Sequence, residues 1–466
     1  MSVRRSTLLT GLSALALAGF LGVFGYSSLS EPRLARVEDP ERALALIVGR
    51  TLDVDWALEH APAWERRLYQ IVLTEGKQDL AQAIDWYAEL AAASIDPGVQ
   101  VRLTILEAEA GRRDRVRRAI AEWRAAGHLE GAAVLLEAAY LDPAPPRARV
   151  AALRAALERR FAPGWFRDRL AQRLAERAGD RAWLSEIAAE ARARTAPLLV
   201  TTRALLALQA ALLMAGVLAA WALVCRRRRR WLGARVADAA VPAPWGLGRG
   251  LRVVIRAGGA GAVVTVALLW VGYRPWLEIA GVVVPALPLF WLARRLARAE
   301  ATTLTQALGL VAAPGGMAPM ALWTLTLAAA GILVDLLLAL GTDAAGIAGH
   351  WTEWFDADLA WGPGIVVATS VVSAVIAAPV VEEMGFRGLL YGTLRVRLGL
   401  PVAAALSALV FAALHGYGVA GFLSVFTSGV LWAWAFERSG SLLPGIAAHA
   451  INNLWASAAV LLLVRS

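Results

Sequence analysis

Six polar residues near the C-terminus interrupt otherwise apolar sequence, and their types suit hydrolysis. They are Glu382, Glu383 and Arg387 in Val381-Glu382-Glu383-Met384-Gly385-Phe386-Arg387, His415 at the end of Phe411-Ala412-Ala413-Leu414-His415, and His449 and Asn453 in His449-Ala450-Ile451-Asn452-Asn453. On a helix, Glu383 and Arg387 share a face and can pair, Glu382 lies about 100° round and can face elsewhere, and His449 and Asn453 can point at one spot. Two adjacent buried carboxylates without other partners would repel, so pairing Glu383 with Arg387 and turning Glu382 into a site resolves the conflict. A glutamate can position and deprotonate a water, while a histidine and an amide NH₂ can donate to the oxyanion formed on attack at a carbonyl. Glu382, His415 and His449 are equally a zinc ligand set. The chemistry implied is amide hydrolysis, by a glutamate-activated water alone or with zinc. No serine or cysteine nucleophile motif accompanies it.

The elements that must hold these residues are membrane spans. The chain of 466 residues is 58% hydrophobic and 18% charged, with a mean hydropathy of +0.54, too little charge to cover a soluble protein of this size. About nine apolar stretches approach the ~20 residues a spanning helix needs. They run over 8–26, 198–224, 253–273, 276–293, 317–341, 365–394, 401–417, 420–436 and 442–464, giving an all-α polytopic membrane protein. Residues 1–30 read as an uncleaved anchor, with a cleaved signal peptide as the competing reading; 198–225 form the second span and 250–464 the polytopic core. Arg226 to Arg230, followed by Arg235, mark the cytoplasmic side, and Arg294, Arg295, Arg298, Arg395, Arg397 and Arg438 then fall on that side too. The loop from Thr342 to Gly362 carries Asp343, Glu353, Asp356 and Asp358 and no Arg or Lys, as expected outside. Counted along helices from cytoplasmic ends at ~1.5 Å per residue, Glu383, His415 and His449 lie at about 18, 22 and 16 Å, near one depth in a ~30 Å core. Ionisable groups there cost roughly 2.5–3.5 kcal/mol each, so their coincidence points to a shared site. Asp335 fits a helix–helix hydrogen bond as well as a function. Cys225 is the sole cysteine, which excludes an intrachain disulfide.

Residues 31–197 differ in kind. They carry 26 Arg or Lys and 26 Asp or Glu, so the whole net charge of +10 lies in the apolar parts and acts as an orientation signal. A nucleic-acid partner, which would need a basic face on a soluble domain, is not indicated. The segment reads as an extracytoplasmic helical domain, punctuated at Asp96-Pro97-Gly98, Gly127 and Asp142-Pro143-Ala144. Gly76, Asp79 and Ala83-Ile84 recur as Gly111, Asp114 and Ala119-Ile120. That period fits stacked tetratricopeptide-like hairpins, and a non-repeating bundle fits equally. His60 and His128 carry no ligand cluster, so the domain is expected to bind a partner or substrate protein rather than to catalyse.

Glu382-Glu383-x-x-x-Arg387, Phe411-x-x-x-His415 and His449-x-x-x-Asn453, in that order on late spans, resemble the CPBP (Abi) family of intramembrane proteases, which includes the CAAX-prenyl endopeptidases and bacteriocin-immunity proteins. The resemblance covers about residues 365–464, more loosely from 253, and does not reach 31–197. It implies a site opening to the cytoplasmic side, in which Glu382 activates water with His415 while His449 and Asn453 hold the oxyanion or help bind a metal. It also implies a membrane-embedded or membrane-associated protein or peptide as substrate and a bacterial cytoplasmic membrane as location. The external domain departs from the minimal family pattern and argues against a simple prenylated substrate. The alternative is a non-catalytic scaffold or immunity protein using the same polar set to bind a ligand; a transporter is weaker, since no inverted repeat is visible.

Overall fold

The computed structural model describes residues 2–72, 76–141, 143, 145–231, 241, 243–272, 274–313, 315–347 and 349–465. Among them are helices and turns and no strand. Arg235, Tyr273, Asp142 and Ala144, used above as topology or turn signals, lie outside the described residues, as do the side chains of Arg226 to Arg230. The chain divides into two units, one of Met1–Pro32, Leu206–Leu461 and Arg465–Ser466, the other of Arg33–Leu205 with Leu462–Val464.

In the second unit, α2 (Pro40–Glu59), α3 (Ala63–Val72), α4 (Gly76–Ala93), α5 (Pro97–Glu109), α6 (Arg113–Ala125), α7 (Glu130–Leu136), α8 (Arg147–Arg160) and α9 (Trp165–Ala178) follow one another through short turns. The sequence signals work as chemistry: Asp96 accepts from the Gly98 N–H at 2.9 Å with Pro97 opening the helix, and Gly127 at φ +66° follows α6. Leu44, Ile84, Tyr87, Leu90, Ile105 and Leu106 form its buried centre. Beyond neighbour-on-neighbour packing, α9 contacts both α2 and α5. That return of a late helix onto the first closes a bundle, whereas in a solenoid each repeat touches only its neighbours. Buried pairs brace it: Arg194 reaches Asp53 at 2.8 Å and Asp168 at 2.7 Å.

The division between the units falls at 205/206, eight residues beyond the expected 197/198, and no helix ends at either place. One helix, α10, runs from Arg181 to Trp231 with Pro197 inside it. A proline removes one backbone hydrogen bond without ending a helix whose remaining turns hold it.

The first unit is the polytopic part. Among the described residues, eight helices are long and apolar enough to cross a membrane. They are α1 (Ser2–Ser30), α10, α11 (Leu247–Leu269), α12 (Leu277–Ala299), α14 (Met317–Ala344), the rod over 364–394, α20 (Val419–Ser439) and α21 (Leu443–Ala459, continuing as a π-helical turn to Val464). The short α13 (Leu304–Ala307) and α15 (Ala357–Trp361) lie in loops. The ninth expected span is a shorter apolar helix, α19 (Leu400–Ala413). The protein is an all-α polytopic membrane protein. Arg256 does not break its span, because its guanidinium donates to Thr10 Oγ1 at 2.9 Å and the Ser6 carbonyl at 2.6 Å on α1, which leaves the cation partnered.

The 364–394 rod is not a uniform helix. It comprises α16 (Gly364–Val372), a π-helical stretch Ser373–Ala377, α17 (Ala378–Glu382), a second π-helical stretch Glu383–Tyr391 and α18 (Gly392–Leu394). Pro379 explains the first π stretch. It lacks the N–H that an α-helix would send back to Val375, the Ala378 N–H reaches the Ser373 carbonyl rather than Ala374, and the Asn453 side-chain amide donates to the Ala374 carbonyl, Nδ2 to O at 2.7 Å.

Candidate active site

The site is built where α17 passes into the second π stretch. Glu383 and Arg387 are fully buried there, both 0% exposed, and Arg387 Nη1 donates to Glu383 Oε1 at 3.0 Å. The expected pair is therefore present. A buried arginine needs more than one carboxylate, and aromatic faces supply the rest: its guanidinium carbon lies 4.1 Å from the Phe411 ring centre and 5.0 Å from that of Trp432. Gly429 of α20 admits this packing, because a Cβ there would stand 2.8 Å from Arg387 Nη2 and 2.9 Å from the Ala408 Cβ.

Glu382 and Glu383 share a side-chain partner, which the helical spacing did not anticipate. Both carboxylates face one imidazole: His449 Nδ1 lies 3.2 Å from Glu383 Oε1, and its Nε2 lies 3.7 Å from Glu382 Oε2. Glu383, ionised against Arg387, can only accept, so Nδ1 carries a proton and the ring is fixed with Nε2 toward Glu382. Trp432 stacks on the same ring at 4.3 Å and 23°. The two glutamates also differ in access, Glu382 with 27% of its side chain exposed and Glu383 with 1%. One is reachable by a reactant; the other is a buried brace.

His415 stands just past the end of a helix, not within a span. α19 stops at Ala413, because Gly416 takes a left-handed φ of +65° and turns the chain toward α20. The ring stays near the site through Phe411, with ring centres 4.7 Å apart, and Glu382 lies in the electrostatic reach of both histidines, His449 foremost. His415 Nδ1 is 2.7 Å from the Phe411 carbonyl, an acceptor, so the proton sits on Nδ1 and Nε2 keeps its lone pair. Asn453, expected to face the reaction, makes its hydrogen bond to Ala374 instead and so acts on the backbone that carries Glu382.

The zinc reading is not supported by the arrangement. Among the described residues no group of three or more His, Cys, Asp or Glu is placed to hold a metal ion. Glu382, His415 and His449 share a neighbourhood without converging on one coordination point.

Sequence reasoning had missed Trp432 and Glu437. Trp432 is one more tryptophan in a span, and only its stacking on His449 marks it. Glu437 accepts from Tyr391 Oη at 2.6 Å and pairs with Arg395 at 2.8 Å, clamping the end of the rod to α20. Asp335 accepts a hydrogen bond from Ser424 Oγ across α14 and α20, the helix–helix contact it was expected to make if structural.

Residues 364–455 match the family model described as Type II CAAX prenyl endopeptidase Rce1-like, the segment that carries all six polar residues. Neither the curated proteins nor the solved structures give a match. Residues 364–455 are thus similar to the Rce1-like type II CAAX prenyl endopeptidases, within a chain that is a multi-pass helical membrane protein.

Proposed function

We propose that the protein is an intramembrane endopeptidase that hydrolyses a peptide bond of a membrane-associated protein or peptide through a water activated by Glu382. The observation that carries this reading is the single imidazole between two unlike carboxylates: His449 is anchored by a buried glutamate on one nitrogen and faces an accessible glutamate with the other. Glu382 takes a proton from the water as its oxygen attacks the carbonyl carbon. His415 Nε2, with its lone pair free, accepts from the same water and orients it. The oxyanion is met by His449, which donates from Nε2 once that nitrogen is protonated and which Glu383 prevents from rotating away. Glu382 then passes its proton to the departing nitrogen as the C–N bond breaks, giving a carboxyl and an amine terminus. The water's protons go to Glu382, which hands one to the departing amine, and to the new carboxyl; His449 Nε2 takes its proton from solvent before it donates and keeps it through the step, and no step calls on a metal.

The same reading places residues 31–197 outside a bacterial cytoplasmic membrane, with the N-terminus and the arginine block inside, following the positive-inside rule. The external bundle then meets a protein ligand while the Rce1-like domain cuts within the bilayer. Quantitative sequencing of new N-termini in membranes from cells expressing the wild type or Glu382→Gln tests this and names the substrate. Fragments present only with the wild type are expected; identical sets of termini would leave the scaffold reading standing.

A further inference from the structure

The bundle formed by residues 33–205 contains a cleft of about 610 Å³. Five of its lining residues are arginine, and a single one, Asp53, is acidic, although 31–197 is electrically neutral as a whole. Two of the arginines are already occupied: Arg194 pairs with Asp53 and Asp168, and Arg167 with Asp168 and Glu190. Arg50, Arg102 and Arg160 make no hydrogen bond or ion pair among the described residues. They come from α2, α5 and the end of α8, so positive charge is spread along the walls. Between them the lining is apolar, including Leu46, Val101, Phe161 and Trp165.

Spare guanidinium groups on separate elements, with aliphatic and aromatic surface between them, suit an extended ligand bearing several carboxylates and some apolar side chains. A single phosphate would need converging donors. The volume lies within the range of small-ligand sites and holds a few residues of a chain. We propose that this cleft binds an acidic, partly hydrophobic peptide segment, the part of a membrane protein substrate or partner that lies outside the bilayer. The inference rests on the reading of residues 31–197 as the domain that meets a protein ligand, and is independent of whether the Rce1-like domain cleaves it.

The test uses the full-length protein in detergent carrying Glu382→Gln, so that binding is read without turnover. A fluorescein-labelled hexapeptide of Asp, Glu, Leu and Trp is titrated by anisotropy beside a counterpart with Lys at each acidic position, and inorganic phosphate and phosphatidylglycerol vesicles are offered as competitors. The acidic peptide is expected to bind, to weaken as salt rises, and to lose about tenfold in affinity with each of Arg50→Ala, Arg102→Ala and Arg160→Ala. Lys replacements should retain part of it. Because these arginines make no hydrogen bond or ion pair among the described residues, unchanged circular dichroism should accompany the loss. Equal binding of the lysine peptide, affinity indifferent to all three replacements, or competition by phosphate or vesicles at matching concentrations would each overturn the proposal. Binding without cleavage in the wild type would leave it standing and count against the protease reading alone.

Discussion

Replacing Glu383 by glutamine separates the two adjacent glutamates most sharply. The substitution keeps the shape of the side chain and removes its charge, leaving Arg387 at 0% exposure with no carboxylate hydrogen-bonded to it. Breaking a buried ion pair from one side costs about 3–5 kcal/mol. The faces of Phe411 and Trp432 at 4.1 and 5.0 Å still stabilise the cation, which places the expected loss near the lower end, about 3 kcal/mol. That is roughly a 150-fold change in the unfolding equilibrium. Glu382→Gln removes no such partner and should shift stability by no more than about 0.5 kcal/mol. The assay is reversible unfolding of the purified protein in mixed micelles with increasing SDS, followed by circular dichroism. A double variant, Glu383→Gln with Arg387→Met, removes both charges and should recover most of the loss, while the glutamine oxygen still accepts from His449 Nδ1. The reasoning fails if Glu383→Gln matches the wild type, if Glu382→Gln is equally destabilised, or if the double variant is less stable than the single one.

Three further outcomes follow from the same geometry. Gly429→Ala would set a methyl 2.8 Å from Arg387 Nη2 and 2.9 Å from the Ala408 Cβ; it should cost about 1–3 kcal/mol in the same assay and depress cleavage, and neutrality there would mean that α19 and α20 part easily. In the external bundle, burial and the neighbouring Asp79 push the Asp55 carboxyl from 3.8 up to about 8. The folded state therefore holds this proton more tightly than the unfolded chain, and stability present below pH 3.8 is lost as pH rises through about 8. Asp55→Asn should make thermal unfolding less pH-dependent over that range and raise stability most at the alkaline end, whereas an unchanged slope would show the group titrating normally. Finally, prolonged treatment with 1,10-phenanthroline or EDTA should leave proteolysis intact, since no three ligands are placed for a metal among the described residues; loss of activity restored by zinc would require the side chains to regroup.

The site was legible in the sequence because ionisable residues in apolar spans are conspicuous. Glu382, Glu383, Arg387 and His449 do meet, and the Glu383–Arg387 pair followed from i, i+4 spacing. The sharing of His449 by both glutamates did not, because α-helical angles were applied to residues entering a π-helical stretch and because the partner lies 66 positions away. Gly416 signalled that α19 would end before Tyr417, yet hydropathy alone carried the expected span, 401–417, through it. The apolar run from 198 marked where the span begins but not that its helix starts earlier, at Arg181, and continues through Pro197. The choice between repeat and bundle depended on α9 folding back onto α2, a long-range contact with no local signature.

The central claim is that Glu382 is the base that activates water. Once a cleaved peptide has been identified in membranes, purified wild type and Glu382→Gln should be reconstituted in liposomes and their single-turnover cleavage rates measured beside their unfolding midpoints. General-base catalysis contributes about 10²- to 10⁴-fold, so a rate loss of at least that order at an unchanged midpoint is expected. Cleavage at the wild-type rate by the folded glutamine variant would contradict the account.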